Sequence, residues 1–222
     1  MQTVTIPSQD MEFLVGKILC IGRNYVDHIQ ELGNEVPTAP VVFSKPASSL
    51  IHNGDVVVIP SMSAQCHYEA ELAVLIGDGG KNIPESQALA AVAGYAVAID
   101  MTLRDVQDRL KGKGLPWDIA KGFDTACPLS DFVPTECVKD PQDLTITLSV
   151  NGEVRQQGAT SLMINSVAKI ISYLSSIFTL EEGDIILTGT PAGVGQVVAG
   201  DTMVASIDGV GSLTIGVTQQ SF

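Results

Sequence analysis

The chain has 222 residues, with 12 Lys and Arg against 25 Asp and Glu for a formal net charge of −13, which excludes the basic surface that nonspecific nucleic-acid binding requires. Hydrophobic residues make up 45% of it, yet no apolar run reaches bilayer-spanning length, so neither nucleic acid nor membrane is an expected partner. One domain spanning 1–222 is large enough to bury its own core without disulfide or metal staples and to leave an apolar surplus for a subunit interface.

The opening MQTVTIPSQDMEF has neither the basic start nor the apolar core of a signal peptide, and a cytoplasmic location is expected. Cys20, Cys66, Cys127 and Cys137 show no CxxC or metal-finger spacing, which fits a reduced compartment. After a predicted strand at 17–21, GRNYVDHIQELG places His28 and Glu31 three residues apart in a short helix. At that spacing they share a face, so the carboxylate can orient the imidazole as a general base requires; a surface helix pair is the plainer reading.

Further strands are predicted at 41–44, 55–59 and 68–76. The last carries HYEAELAVLIG, in which Glu69 and Glu71 point to one face while their same-face successors, Ala73 and Leu75, are apolar. A solvent-facing acidic edge is the ordinary meaning of alternation. Here the strand reads as covered on both sides, and two buried like charges need a cation between them. A predicted short helix at 84–92 leads to a strand at 94–99 that ends on Asp100, a third carboxylate. Three carboxylates at strand ends suggest a hard divalent ion, Mg2+, Mn2+ or Ca2+, rather than zinc.

The pattern at 102–111 predicts a helix. Arg104, Arg109, Lys111, Lys113 and Lys121 concentrate five of the chain's 12 cations, a local field suited to an anionic small molecule, although Arg109, Lys111 and Lys113 read as a solvated helix face. KGKGLPWDIAKG reads as a mobile loop of the kind that covers active sites, with Pro116 and Trp117 packing it down. Farther on, a strand at 144–150 runs into Asn151-Gly152, a type I′ hairpin signal. A helix at 166–178 shows Val167, Ile170, Ile171, Leu174, Ile177 and Phe178 as a core stripe, followed by strands at 185–188, 202–207 and 212–217. GTPAGVG lacks the GK[ST] ending of a phosphate loop. His52 and His67 have no partner at useful spacing and read as structural.

Taken in order, GRNYVDHIQELG, FSKP, HYEAELAVLIG, GYAVAIDMTLRDVQ, LPWDIAKGFDTACPLS, NGEVRQQG and EEGDIILTGTPAGVG resemble the fumarylacetoacetate hydrolase family, in particular its short acylpyruvase or oxaloacetate-decarboxylase branch. The resemblance runs from about 15 to 217, leaving 1–14 as an N-terminal extension. It implies an α+β, β-rich fold, a mixed β-sandwich roll with a few peripheral helices, assembled as a homodimer. It further implies Glu69, Glu71 and Asp100 as ligands of Mg2+ or Mn2+ and His28 with Glu31 as the catalytic dyad on a segment that orders with substrate. Lys121 matches the family's active-site lysine, and Arg23, Lys45, Arg104, Gln107 and Thr190 are implied as substrate-binding.

The expected chemistry is hydrolysis of the C–C bond of an acylpyruvate, such as acetylpyruvate or fumarylpyruvate, through an enolate that the cation stabilises. Water activated by His28 would attack the distal carbonyl, and Lys121 would stabilise the oxyanion or deliver a proton. Decarboxylation of oxaloacetate passes through the same enolate. The alternatives are an isomerase or tautomerase of oxaloacetate or unsaturated dicarboxylic keto acids, and a non-catalytic divalent-ion or dicarboxylate-binding protein.

Overall fold

Strand Ala70–Ile76 is buried at all seven positions, because its neighbours cover both faces. In the computed structural model, which describes residues 2–220 and so leaves Met1, Ser221 and Phe222 of the 1–222 domain outside the described residues, it lies inside an eight-stranded sheet. The spatial order is Val41–Lys45, Ile18–Gly22, Ile185–Leu187, Ala70–Ile76, Val92–Ile99, Cys127–Leu129 and Leu50–His52, with Val133–Pro134 pairing onto Val92–Ile99. The even-numbered Leu72, Val74 and Ile76 enter the larger apolar core; the odd-numbered Ala73 and Leu75 enter a smaller one. This is the two-sided covering that the alternation predicts.

A five-stranded sheet in the order Glu153–Ala159, Thr145–Val150, Thr202–Ile207, Gly211–Gln219 and Val56–Ile59 closes the larger core with Ile146, Leu148, Ala205, Leu213 and Ile215. Its first turn is the predicted Asn151-Gly152 hairpin, with φ of 53° and 83°, the left-handed pair that a type I′ turn requires. A three-stranded sheet, Thr102–Leu103, Cys66–Tyr68 and Gly195–Val197, stands beside the large one. The architecture is thus β-rich, with parallel and antiparallel pairs and few helices.

Helices are Val26–Glu31, Arg104–Lys111, Asp118–Lys121 and Val167–Ile177. Ser166 Oγ caps the last by accepting from Lys169 N at 3.2 Å. Its Val167, Ile170, Ile171 and Leu174 are buried as the stripe predicts, whereas Ile177, in its final turn, is exposed. Residues 84–92 differ from expectation: Glu85–Ala91 is a 3-10 helix, because extended Pro84 precedes it and Val92 enters a strand directly. Thr3–Ile6 and Met11–Leu14 form a hairpin whose Val4, Ile6 and Phe13 pack in the smaller core, so the residues expected as an extension are part of the packed body. No helix among the described residues is long and apolar enough to cross a membrane.

Candidate active site

The three acids sit where the chain changes sheets. Cys66–Tyr68 belongs to the three-stranded sheet and Ala70–Ile76 to the eight-stranded one, with Glu69 at the break. On the neighbouring strand the same switch falls at Asp100, between Val92–Ile99 and Thr102–Leu103. Asp100 N donates to Glu69 O at 2.8 Å, locking the two breaks together. The run predicted as one strand at 68–76 is therefore two, and the break brings carboxylate oxygens of Glu69, Glu71 and Asp100 within 4.8 Å of one another.

Three cations balance them. Lys121 Nζ donates to Glu69 Oε2 at 2.8 Å, Asp100 Oδ2 at 2.6 Å and Thr102 Oγ1 at 2.7 Å. Arg104 donates to Glu69 Oε1 and, at 2.6 Å, to Gln107 Oε1. Lys45 Nζ lies 2.7 Å from Asp100 Oδ1, off the direction of a hydrogen bond, and donates to the carbonyls of Met101, Lys121 and Ala126. Glu71 Oε2 accepts from Gly189 N at 2.6 Å. Gly189 has φ of 95°, and a Cβ there would stand 2.8 Å from Asn24 Cβ, so this donor requires glycine.

Burial pushes the Glu69 carboxyl up, but Lys121 and Arg104 outweigh it and hold it well below the usual range. For Glu71, burial and the charges of Asp100 and Glu69 act together and raise it well above that range. Burial lowers the Lys121 ammonium, yet Asp100 and Glu69 overcome this and keep it charged. A buried carboxyl held up by two carboxylates, beside an Asp100 oxygen without a hydrogen bond, is a donor set that fits a hard divalent cation. The triad could hold one.

Above the triad opens a cavity of about 170 Å³, lined by Glu69, Arg104, Gln107, Lys121, His28 and Arg23 among others. His28 Nδ1 faces Glu31 Oε2 at 3.4 Å. Gly193 N donates to both Glu31 oxygens at 3.1 and 3.2 Å, so the glycine-rich segment orients two acids, Glu71 through Gly189 and Glu31 through Gly193. Phe43 and Trp117 form one wall, their ring centroids 5.8 Å apart. Within the segment read as a mobile loop, the four residues Asp118–Lys121 form a short helix that places Lys121.

Two residues expected to bind substrate lie elsewhere. Lys45, 2% exposed, sits behind Asp100, where three carbonyls and the carboxylate hold it inward. Thr190 is 3% exposed, with Oγ1 donating to Ala70 O and accepting from Gln156 Nε2, each at 2.8 Å; those bonds use it to fasten the glycine-rich segment to the strand. Conversely, His67, read as structural, lines the cavity with Nδ1 lacking a partner. Burial first, then the Arg104 charge, lowers its pKa, keeping it neutral. Its i, i+2 spacing to Glu69 was the available signal. Asn34 and Lys111 also line the cavity, with no local pattern to mark them.

A curled β-rich scaffold that gathers three carboxylates near its sheet switches, beneath a histidine and acid pair, defines a class of enzyme fold whose acidic triad could hold a metal ion. The family description "Fumarylacetoacetate (FAA) hydrolase C-terminal" matches residues 17–218, and the chain belongs to that family. It is 51% identical over 205 residues to oxaloacetate tautomerase FAHD1, mitochondrial, of Rattus norvegicus, covering 92% of this chain and 93% of the relative. It is 48% identical to oxaloacetate tautomerase YcgM of Escherichia coli (strain K12) over 90% of this chain and 91% of that one. The crystal structure of fumarylpyruvate hydrolase from Pseudomonas aeruginosa in complex with Mn2+ and pyruvate superposes with a TM-score of 0.93 at 41% identity, covering 99% of this chain and 96% of that one.

Proposed function

We propose that this chain is a divalent-cation-dependent enzyme of small 2-oxo acids whose principal reaction is keto–enol interconversion of oxaloacetate. The observation that carries this is the charge of the buried cluster to which the cavity-lining Glu69, Arg104 and Lys121 belong. Glu69, Glu71 and Asp100 oppose Lys45, Lys121 and Arg104, so the buried cluster is formally neutral. A divalent ion then leaves a surplus of two positive charges, complementary to a dicarboxylate dianion. The relatives named for oxaloacetate tautomerisation support the reaction, and the relative holding Mn2+ and pyruvate supports the ion and substrate class.

Glu69, Glu71 and Asp100 would hold Mg2+ or Mn2+, which when bound supplies electrostatic stabilisation for negative charge developing on the 2-keto oxygen. Arg104, fixed by Glu69 and Gln107, binds the carboxylate beside the keto group. His28 takes the proton from C3 of the keto form and delivers it to the 2-oxo oxygen, and it runs the same transfer in reverse from the enol; Glu31 faces Nδ1 and so leaves Nε2 as the working nitrogen. Lys121, held by Glu69 and Asp100, places a positive charge beside the developing enolate. This transfer breaks no C–C bond and needs no water.

A second reading, hydrolysis of acylpyruvates, is favoured by the same His28 and Glu31 pair, which suits activation of water, and by the likeness to the fumarylpyruvate hydrolase structure. A panel of enol-oxaloacetate, acetylpyruvate and fumarylpyruvate, run with Mg2+, Mn2+ or chelator, separates the two. The proposal expects the highest kcat/KM for enol-oxaloacetate and loss of all activity in Glu71→Ala. A tenfold preference for an acylpyruvate would install the second reading, and full activity in chelator would remove both.

A further inference from the structure

Two cations in this cavity converge on one neutral atom. Arg23 Nη2 donates to Asn34 Oδ1 at 3.1 Å, and Lys111 Nζ donates to the same oxygen at 3.0 Å. Among the described residues neither has a carboxylate within ion-pair distance. Both are half-buried and line the cavity whose floor holds Glu69, Arg104 and Lys121.

Like charges drawn to one amide oxygen repel, and an amide dipole compensates them in part only. The arrangement also uses an uncommon backbone: Arg23 has φ of 59°, a left-handed conformation that few residues bearing a long side chain adopt. Asp108, exposed on the same helix as Lys111, is the acid that lines this end of the cavity, and it leaves one positive charge in excess there. Lys111, which reads in sequence as a solvated residue, is turned into the site.

We infer that Arg23 and Lys111, positioned by Asn34, grip the second, distal carboxylate of a dicarboxylic 2-oxo acid and make the enzyme selective for diacids over acids with an uncharged tail. Arg104 serves the carboxylate next to the keto group, so the two ends of the substrate meet separate cations. Two charge-assisted hydrogen bonds to one carboxylate replace two to an amide oxygen, which gives the selectivity its strength. The inference rests on the proposed function in one respect, that the substrate is a 2-oxo acid.

Calorimetric titration of the Mn2+-loaded protein with 2-oxoglutarate and with 2-oxopentanoate, which carries a methyl group in place of the distal carboxylate, tests it without turnover. The wild type is expected to bind the diacid at least tenfold more tightly. Lys111→Met should abolish that preference, Lys111→Arg should retain most of it, and Lys113→Met, which removes an exposed charge two residues away, should leave it intact. Equal affinity of the wild type for both acids, or a preference that survives Lys111→Met, overturns the inference while leaving the substrate class standing. Failure of both acids to bind overturns the substrate class and the inference together.

Discussion

Lys45 gives the sharpest measure of how the buried cluster is balanced. Its Nζ lies 2.7 Å from Asp100 Oδ1, and the two side chains are 0% and 1% exposed. Lys45→Met conserves most of the volume and removes the charge, leaving Asp100 with Lys121 Nζ at 2.6 Å as its remaining cation. Breaking a buried pair by deleting one partner costs about 3–5 kcal/mol. The carbonyls of Met101 and Lys121 also lose a donor, whereas Ala126 O keeps the Met101 amide. The surviving Lys121 contact places the loss at the lower end, about 3 kcal/mol, a large share of the ~5–15 kcal/mol that a domain of this kind has in total. Urea unfolding in chelator at fixed protein concentration should show that loss. Repeating it with saturating Mn2+ should shrink the difference, because an ion at Asp100 supplies the missing positive charge. A loss below about 1 kcal/mol in chelator, or one that Mn2+ leaves unchanged, would refute the reasoning.

Gly193→Ala should lower the melting temperature and reduce kcat with enol-oxaloacetate more than it alters KM. At φ of 97° a Cβ runs into Arg155 O, and the amide that orients Glu31 shifts with it; an unchanged kcat would separate Glu31 from the reaction. Asp105→Asn tests a pH linkage away from the carboxylate triad. Burial pushes the Asp105 carboxyl up, but the Ser63 hydroxyl at 2.6 Å and the amides of Ala64 and Val106 outweigh it and hold it below its ordinary value. A depressed acid stabilises above its unfolded pKa of about 3.9 and loses that contribution as pH falls through the lower folded value. Wild type should therefore exceed Asp105→Asn in urea midpoint at pH 7 and converge with it in acid; a constant gap would show that the carboxylate charge is not the cause.

The strands were legible because their apolar runs are local, and the Asn151-Gly152 turn because its backbone demand is written in two residues. The triad was legible for a similar reason: two acids two residues apart in an otherwise apolar strand contradict burial unless a cation resolves it. The break at Glu69 was not, since nothing in HYEAELAVLIG marks the point where a strand leaves one sheet for another. Lys111 and Asn34 take their meaning from segments far away in sequence, which only the folded topology joins, whereas His67 had a local signal in its spacing to Glu69. Lys45 and Thr190, carried over as substrate contacts, face inward because backbone carbonyls and Asp100 compete for them successfully.

The position of Ile185–Leu187 has a consequence for how the protein is made. This strand lies between Ile18–Gly22, to which it is parallel, and Ala70–Ile76, to which it is antiparallel. Leu187 leaves the ribosome 111 residues after Ile76, roughly 6–22 s later at ~5–20 residues per second. Throughout that interval two apolar strands wait with open edges, the form of surface most prone to pairing with another chain. Glu71 also waits for its donor at Gly189, just beyond the missing strand. The central strand pairs of the sheet and the backbone donor of Glu71 are thus supplied together, by one late stretch of the chain.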